Sequence, residues 1–531
     1  LASAGFLGAV VLVPVAVLLA AGIGEEQANG RLAGDLTDPV TLRALSNSVS
    51  QGLAGGFAAV LLGLPAGIAL GRYRFRGREL VRGVLLVPFL LPTLVMVLAL
   101  GAFLGPEGSL GSSVPAVRPL STGFPGIVVV DALYNAPIVA LLTAVGVESS
   151  GRALEETVEV LGAAGWQRFR DVWGRSALTG AAAGGVLAFA LSALAFAAPI
   201  TIGGPAQYTV EARIWSLAQQ LADPAAASVV ALLAVLLLAG PTVGYLLLLR
   251  RLPPRLDAQG WEGRRLRRDQ PVGIVMVALL AGLLALEGVL LGTVVLRLAA
   301  QGSPRIGGGS ALADLFSSGI APYDGLPTAA ALGNSAAFAA AASVLALLLG
   351  LAFAYALQER RSVARAPLAA LPLGTLLISP VVLALAIARL GRPLVGGASG
   401  VWLLIIVSQA VLALPFVSQS LRVALARVPR RPREAAELLG APPWMAFLEV
   451  DVAAARGGVF AAGLLAVALC LGEFTATYFL AVPRFTTGTV AMYRLAGARL
   501  FPEAWAMAAL VMLISLAVLA ATAWGGRRVA L

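Results

Sequence analysis

Apolar runs of about 18–25 residues recur along the whole chain, and each is long enough to cross a hydrocarbon core of ~30 Å. They fall near residues 5–23, 50–71, 83–104, 125–147, 177–203 and 226–250, then near 271–297, 333–357, 366–390, 400–426, 457–482 and 503–525. A soluble domain cannot hide so much apolar surface: 59% of the 531 residues are hydrophobic, 12% are charged, and the mean hydropathy is +0.90. Lipid also forbids unpaired backbone, and runs of this length satisfy it as helices. The expected fold is an all-α polytopic membrane protein with about twelve transmembrane helices. The first run reads as an uncleaved spanning helix rather than a secretory signal.

Charge orients these helices and removes several chemistries. The formal net charge is +11, and every basic residue is an arginine. Arginine clusters follow the second run (GRYRFRGRELVR), the sixth (RRLPPRLDAQGWEGRRLRRDQ) and the eighth (QERRSVARA), and another closes the sequence (GGRRVAL). With twelve spans all four fall on one side, which the positive-inside rule makes the cytoplasm, with both termini there. Opposite loops such as GPEGSLGSSVPAVRPLSTG are rich in Gly, Ser and Pro and poor in arginine. No basic stripe with interleaved aromatics stands outside the membrane, so the surrounding partner is lipid and not nucleic acid. A chain without lysine has no Gly-Lys-Ser/Thr phosphate loop. With no histidine and only Cys470, it has neither a disulfide framework nor the usual zinc ligands. No catalytic residue, metal or cofactor is expected on this chain.

The sequence repeats itself. Glu156, Gly162, Trp166, Phe169 and Val172 match Glu434, Gly440, Trp444, Phe447 and Val450 at a constant offset of 278, which Pro137/Pro415 and Pro224/Pro502 share. Nearer the start, LSNS at Leu45 matches LGNS at Leu332, and LGL at Leu62 matches LGL at Leu349, both at offset 287. The expectation is a parallel duplication of two six-helix halves. The first half spans 1–250, a cytoplasmic linker 251–270, and the second half 271–531.

The best-kept part of the repeat is a cytoplasmic loop, about 152–175 in one half and 430–453 in the other. Its copies read LEETVEVLGAAGWQRFRDV (Leu154–Val172) and REAAELLGAPPWMAFLEV (Arg433–Val450). Glu156 and Glu434 are expected in the first turn of a short helix, where a carboxylate complements the dipole. Gly162 and Gly440, about two turns later, suit the positive φ that ends a helix. Trp166/Phe169 and Trp444/Phe447 recur at i, i+3 and are expected on one face. Such an element either packs on neighbouring loops or lipid, or docks into another protein; two equivalent copies suit a two-fold partner.

EAAELLG followed by Trp and Phe resembles the EAA loop of binding-protein-dependent ABC importer permeases, and ETVEVLG at Glu156–Gly162 is similar to a degenerate copy of it. The family often continues with Leu-Pro, where this chain has Trp173-Gly174 and Val452-Ala453. The resemblance implies the type I permease fold. It implies coupling helices at both loops that seat in two ABC ATPase subunits, a homodimer holding the ATP and magnesium, and a substrate-binding protein outside the bacterial inner membrane. Two halves fused in one chain look like the ferric-iron and thiamine importer permeases, and Leu471–Leu495 is similar to the segment after their second loop. Molybdate and sulfate permeases carry something comparable to Gly472–Phe474.

Three carboxylates lie inside apolar runs: Asp131, Glu287 and Glu473. Each is costly in lipid and is expected to face protein or water. Asp131 and Asn135 are one turn apart on one face, just before Pro137. Gln409 aligns with Asp131, and Glu473 aligns with Ala195. Asp131, Asn135, Gln409 and Glu473 are therefore the candidates for a translocation pathway, with a structural hydrogen bond as the alternative, while Glu287 is expected to be structural. An acidic lining would favour a cation such as ferric iron or thiamine over molybdate or sulfate. The alternatives are a permease for another small solute or anion of the molybdate or sulfate type, and a twelve-helix secondary transporter, which would have no use for duplicated cytoplasmic loops.

Overall fold

The computed structural model describes residues 2–149, 157–158, 160–162, 167, 169–251, 263–266, 271–300, 311–316, 328–359, 371–372, 374–375 and 378–528. The first part holds α1 (Gly5–Ala28), α2 (Pro39–Arg72), α3 (Arg78–Leu90) and α4 (Thr93–Leu104). It continues with α5 (Gly123–Ser149), α6 (Gly174–Ala193), α7 (Val210–Trp215) and α8 (Pro224–Arg251). The second part holds α9 (Pro271–Ala300), α10 (Ala330–Glu359), α11 (Pro380–Leu394), α12 (Val401–Leu425) and α13 (Arg430–Leu438). It ends with α14 (Pro443–Val452), α15 (Arg456–Gly472), α16 (Thr475–Leu480), α17 (Gly488–Gly497) and α18 (Phe501–Arg528).

Among the described residues, nine helices are long and apolar enough to cross a membrane, or eleven if the bent pairs α3–α4 (93°) and α14–α15 (85°) each count as one span. Of the run expected at 366–390, residues 366–370, 373 and 376–377 lie outside the described residues, and α11 begins within it at Pro380. Three expected spans are corrected, the first being 83–104, which bends by 93° at Leu91–Pro92 between α3 and α4. The run 177–203 stops as a helix at Ala193, and 457–482 stops at Gly472. Each chain then turns away, through Pro199–Gly203 in one case and α16 in the other. The linker is described only at Arg251 and 263–266, where Arg264–Arg265 pairs in parallel with Tyr73–Arg74 just past α2.

Two helix triplets form the interior: α2, α5 and α6 pack mutually, as do α10, α12 and α15. Small residues set the first triplet's spacing. Gly63, Gly67 and Gly71 recur every turn on the α2 face that meets α5, and a Cβ on Gly63 would stand 2.6 Å from the Ala136 carbonyl oxygen. Close backbone approach of this kind replaces the hydrophobic effect, which is absent between helices in lipid. The outer helices cross over: α1 packs on α8 and on α11 of the second part, while α9 packs on α18 and on α2 and α4 of the first. Glu287 of α9 is accordingly buried in protein and not turned to lipid.

The LSNS and LGNS repeats have a physical role. Asn47 Nδ2 donates to the Ala206 and Tyr208 carbonyls (2.9 and 3.0 Å), and Asn334 Nδ2 donates to those of Arg484 and Thr486 (3.1 and 2.9 Å). Ser48 Oγ accepts from Val210 N and Ser335 Oγ from Gly488 N, at 2.9 and 2.8 Å. In both places an Asn-Ser pair satisfies the irregular backbone beyond a helix break and caps the helix that follows, α7 or α17.

Gly67→Leu would drive a side chain into the Ala140 carbonyl and Thr143, and overpacking of this sort costs about 1–3 kcal/mol. The purified variant should melt several degrees below the parent. Gly282→Leu, whose Cβ meets nothing within 4 Å, should melt with it.

Candidate functional site

The helix breaks at Ala193 and Gly472 face one another across a cavity of about 280 Å³ that both parts of the chain line. Asp131, Asn135, Gln409 and Glu473, singled out from sequence, all line it. The rest of its polar wall is hydroxyls, among them Thr93, Tyr134, Thr242, Tyr245, Thr375 and Ser379, with no arginine among the described lining residues.

The two carboxylates are occupied by the protein. Asp131 Oδ2 accepts from Gln51 Nε2 of α2 at 2.9 Å, with both groups buried. Glu473 was expected in mid-helix; instead it follows the last residue of α15 and caps α16. Its Oε1 accepts from Ala476 N at 2.7 Å, and its Oε2 from Thr477 N and Thr477 Oγ1 at 2.9 and 2.5 Å. The carboxylate charge is thus matched by the positive end of a helix rather than offered to the cavity.

The two amides are arranged alike. Asn135 Nδ2 donates to Ser192 Oγ, and Gln409 Nε2 to Thr477 Oγ1, each at 3.1 Å. Asn135 Oδ1 and Gln409 Oε1 are buried with no protein partner among the described residues, so each leaves one acceptor for a solvent or solute donor.

The second repeated loop is built to stand away from the bundle. α13 ends in a Schellman turn: Gly440 takes φ +94°, Gly440 N donates to Glu437 O and Ala441 N to Ala436 O, both at 3.0 Å. Gly162 takes φ +81° in the first loop. Glu434 is corrected: it is the fifth residue of α13, exposed and past the first turn, because the helix begins at Arg430. The Trp/Phe pair is corrected too. Despite their i, i+3 spacing, the two rings have different surroundings. Trp444 is 57% exposed, whereas Phe447 is 3% exposed and packs on Tyr355 of α10 with ring centroids 5.2 Å apart. Phe447 anchors the loop; Trp444 is presented. Arg433 adds a tie, bonding Glu437 Oε1 at 2.9 Å and buried Asp451 Oδ2 at 3.2 Å. In the first loop Phe169 is half-buried on Trp173, 4.8 Å between centroids, while Glu156 and Trp166 lie outside the described residues.

Sequence reasoning missed the most exposed apolar groups of these loops. Leu438 and Leu439 are 89% and 90% exposed, and Val160 and Leu161, at the same offset of 278, are 88% and 79% exposed. In an amphipathic pattern such residues read as the packed face. It also missed Glu211 of α7, which is fully buried and accepts from Val381 N at the start of α11 (3.2 Å), joining the two parts. The apolar setting of TVEARIW was a usable signal, lost because that stretch is shorter than a membrane span.

Helix breaks facing a shared cavity inside a multi-pass bundle are the architecture of a membrane transport component. Residues 63–257 match the family described as binding-protein-dependent transport system inner membrane component. A probable molybdenum ABC transporter permease of Haloferax volcanii is 31% identical over 267 residues, covering 49% of this chain and 90% of that protein. A molybdenum transport system permease of Haemophilus influenzae is 31% identical over 161 residues (29% of this chain, 70% of the relative). The sulfate transport system permease protein of Escherichia coli is 30% identical over 198 residues (36% and 72%). The chain belongs to this family of ABC importer permeases and is a multi-pass inner-membrane protein.

Removing the Phe447 ring should cost about 3 kcal/mol locally, or roughly a hundred-fold in amide exchange over Arg430–Val452. Trp444→Ala should leave that exchange within about two-fold, since its ring is already exposed. Hydrogen-exchange mass spectrometry of the two variants checks this.

Proposed function

We propose that this chain is the fused translocation subunit of an ATP-driven importer for a small tetrahedral oxyanion of the molybdate or sulfate kind. Its two six-helix halves, 1–250 and 271–531, enclose one pathway, and both termini face the cytoplasm. A substrate-binding protein delivers from outside. Two ATPase subunits bind the loops at 152–175 and 430–453, and ATP-driven closure of the pair moves both loops together.

The observation that carries the coupling reading is the matched pair of exposed apolar steps, Val160–Leu161 and Leu438–Leu439, each beside a positive-φ glycine. Solvent does not favour two adjacent exposed leucines on an ordered helix end; a protein cleft does. The paired Asn-Ser bonds and the crossed-over outer helices support the two-half arrangement, as does a relative that covers 49% of this chain with 90% of its own length.

For substrate, the relatives' names favour oxyanions, and the leaning towards ferric iron or thiamine finds no support among them. The geometry is compatible with that choice. Glu473 and Asp131 both accept hydrogen bonds from the protein, and much of the remaining polar wall is hydroxyls. A corridor of hydroxyls passes an anion without holding it, which suits a subunit that must release what it receives.

Reconstituted with its ATPase and binding protein, the chain should take up radiolabelled molybdate or sulfate on ATP addition, with ferric iron and thiamine at background. Uptake of only a cation would reverse the substrate reading. Leu439→Asp should cut ATPase co-purification and uptake at least ten-fold, about 1.4 kcal/mol of lost docking, with unchanged membrane insertion. Normal ATPase capture by that variant would remove the docking role.

A further inference from the structure

Five aromatic rings from both parts of the chain meet at the two helix breaks, two of them in the cavity wall. Phe196 and Phe474 sit just past the ends of α6 and α15, at the same offset of 278, with centroids 6.0 Å apart. Tyr478 packs on both, 6.1 Å from Phe196 and 5.3 Å from Phe474, with the latter pair stacked. Behind them Trp215 lies 6.0 Å from Phe196, and Tyr493 lies 5.5 Å from Phe474. Of the five, Phe196 and Phe474 line the cavity and the other three do not. α6 and α15 run away from the two repeated loops, and α15 alone rises about 25 Å over its residues. The cluster therefore sits at the end opposite the coupling loops.

We propose that the Phe196–Phe474 pair, wedged by Tyr478, is the closure that seals the cavity on its extracytoplasmic side, and that Glu473 is the positioning residue that holds Phe474 in it. The proposal rests on the permease reading. An apolar constriction blocks solutes by excluding water. Aromatic ring faces carry negative quadrupole charge, so this plug is least hospitable to an anion. Glu473 acts on Phe474 through the backbone. By capping Ala476 N and Thr477 N it fixes the turn in which Phe474 lies, and its own carbonyl accepts from Thr489 Oγ1 of α17 at 3.1 Å. The closure is also tied across the halves, because Gln219 Nε2 donates to Phe479 O at 3.2 Å. Opening the cavity to the outside requires these rings to part.

The test uses the full chain assembled with its ATPase in proteoliposomes, with Cys470→Ser removing the native thiol. Phe196→Cys with Phe474→Cys should form a disulfide under mild oxidation without nucleotide. Trapping the ATPase with ATP and vanadate should slow that reaction at least ten-fold. The cross-linked complex should lose molybdate or sulfate uptake and regain it on reduction. Equal cross-linking in both states, or undiminished uptake when cross-linked, overturns the closure. A second readout needs neither ATP nor the true substrate: Phe196→Ala with Phe474→Ala should raise passive iodide leak at least ten-fold over the parent chain, and an unchanged leak overturns it equally. Glu473→Ala should leak similarly, while Glu473→Gln, which keeps one acceptor oxygen, should be close to tight; a tight Glu473→Ala removes the positioning role. A parent complex that closes and cross-links as described but imports no oxyanion would count against the importer reading and leave the closure standing.

Discussion

A helix broken inside a membrane leaves backbone donors and acceptors that hydrocarbon cannot satisfy, and the rest of this structure is arranged around two such breaks. At Ala193 and Gly472 the spans end early, and everything near them supplies the missing partners. Glu473 caps the helix beyond one break. The Asn47-Ser48 and Asn334-Ser335 pairs hold the strands of irregular chain that follow both, and Glu211 caps α11 across the halves. Because broken backbone is tolerated only where protein or an enclosed space receives it, the same breaks border the cavity and place Phe196 and Phe474 on its wall.

The repeated loop divides its labour among residues that look alike in sequence. Phe447 and Arg433 hold it to the bundle, through Tyr355 and Asp451, while Leu438, Leu439 and Trp444 are left outward. The proposed coupling role needs both: a seat on α10, and a surface that another protein can grip. Gly440 joins the two functions, since only its left-handed turn lets α13 stop abruptly and α14 restart at a new angle.

What was legible in the sequence followed from rules with one dominant cause. Span length reads directly because lipid demands it, and Gly162 and Gly440 read directly because positive φ is costly for other residues. The four pathway candidates converged on one cavity because buried polar groups in lipid must face protein or water. The illegible features depended on competing partners. The run 457–482 looks continuous until Glu473 finds a better use at the start of α16. The i, i+3 spacing of Trp444 and Phe447 did not reveal that Phe447 packs on Tyr355 while Trp444 stays exposed. The crossing of α1 and α9 onto opposite halves leaves no mark in periodicity, since a lipid-facing and a protein-facing apolar residue look the same.

The proposed transport role requires the single cavity walled by both parts of the chain to communicate with one side of the membrane at a time. Gln409→Cys in a Cys470→Ser background places one thiol on its wall, and membrane-impermeant maleimide can be applied from either side of the assembled complex. Labelling is expected from the cytoplasmic side without nucleotide, and from the extracytoplasmic side with the ATPase trapped by ATP and vanadate. Labelling from both sides in one state, or from the same side in both, would contradict it.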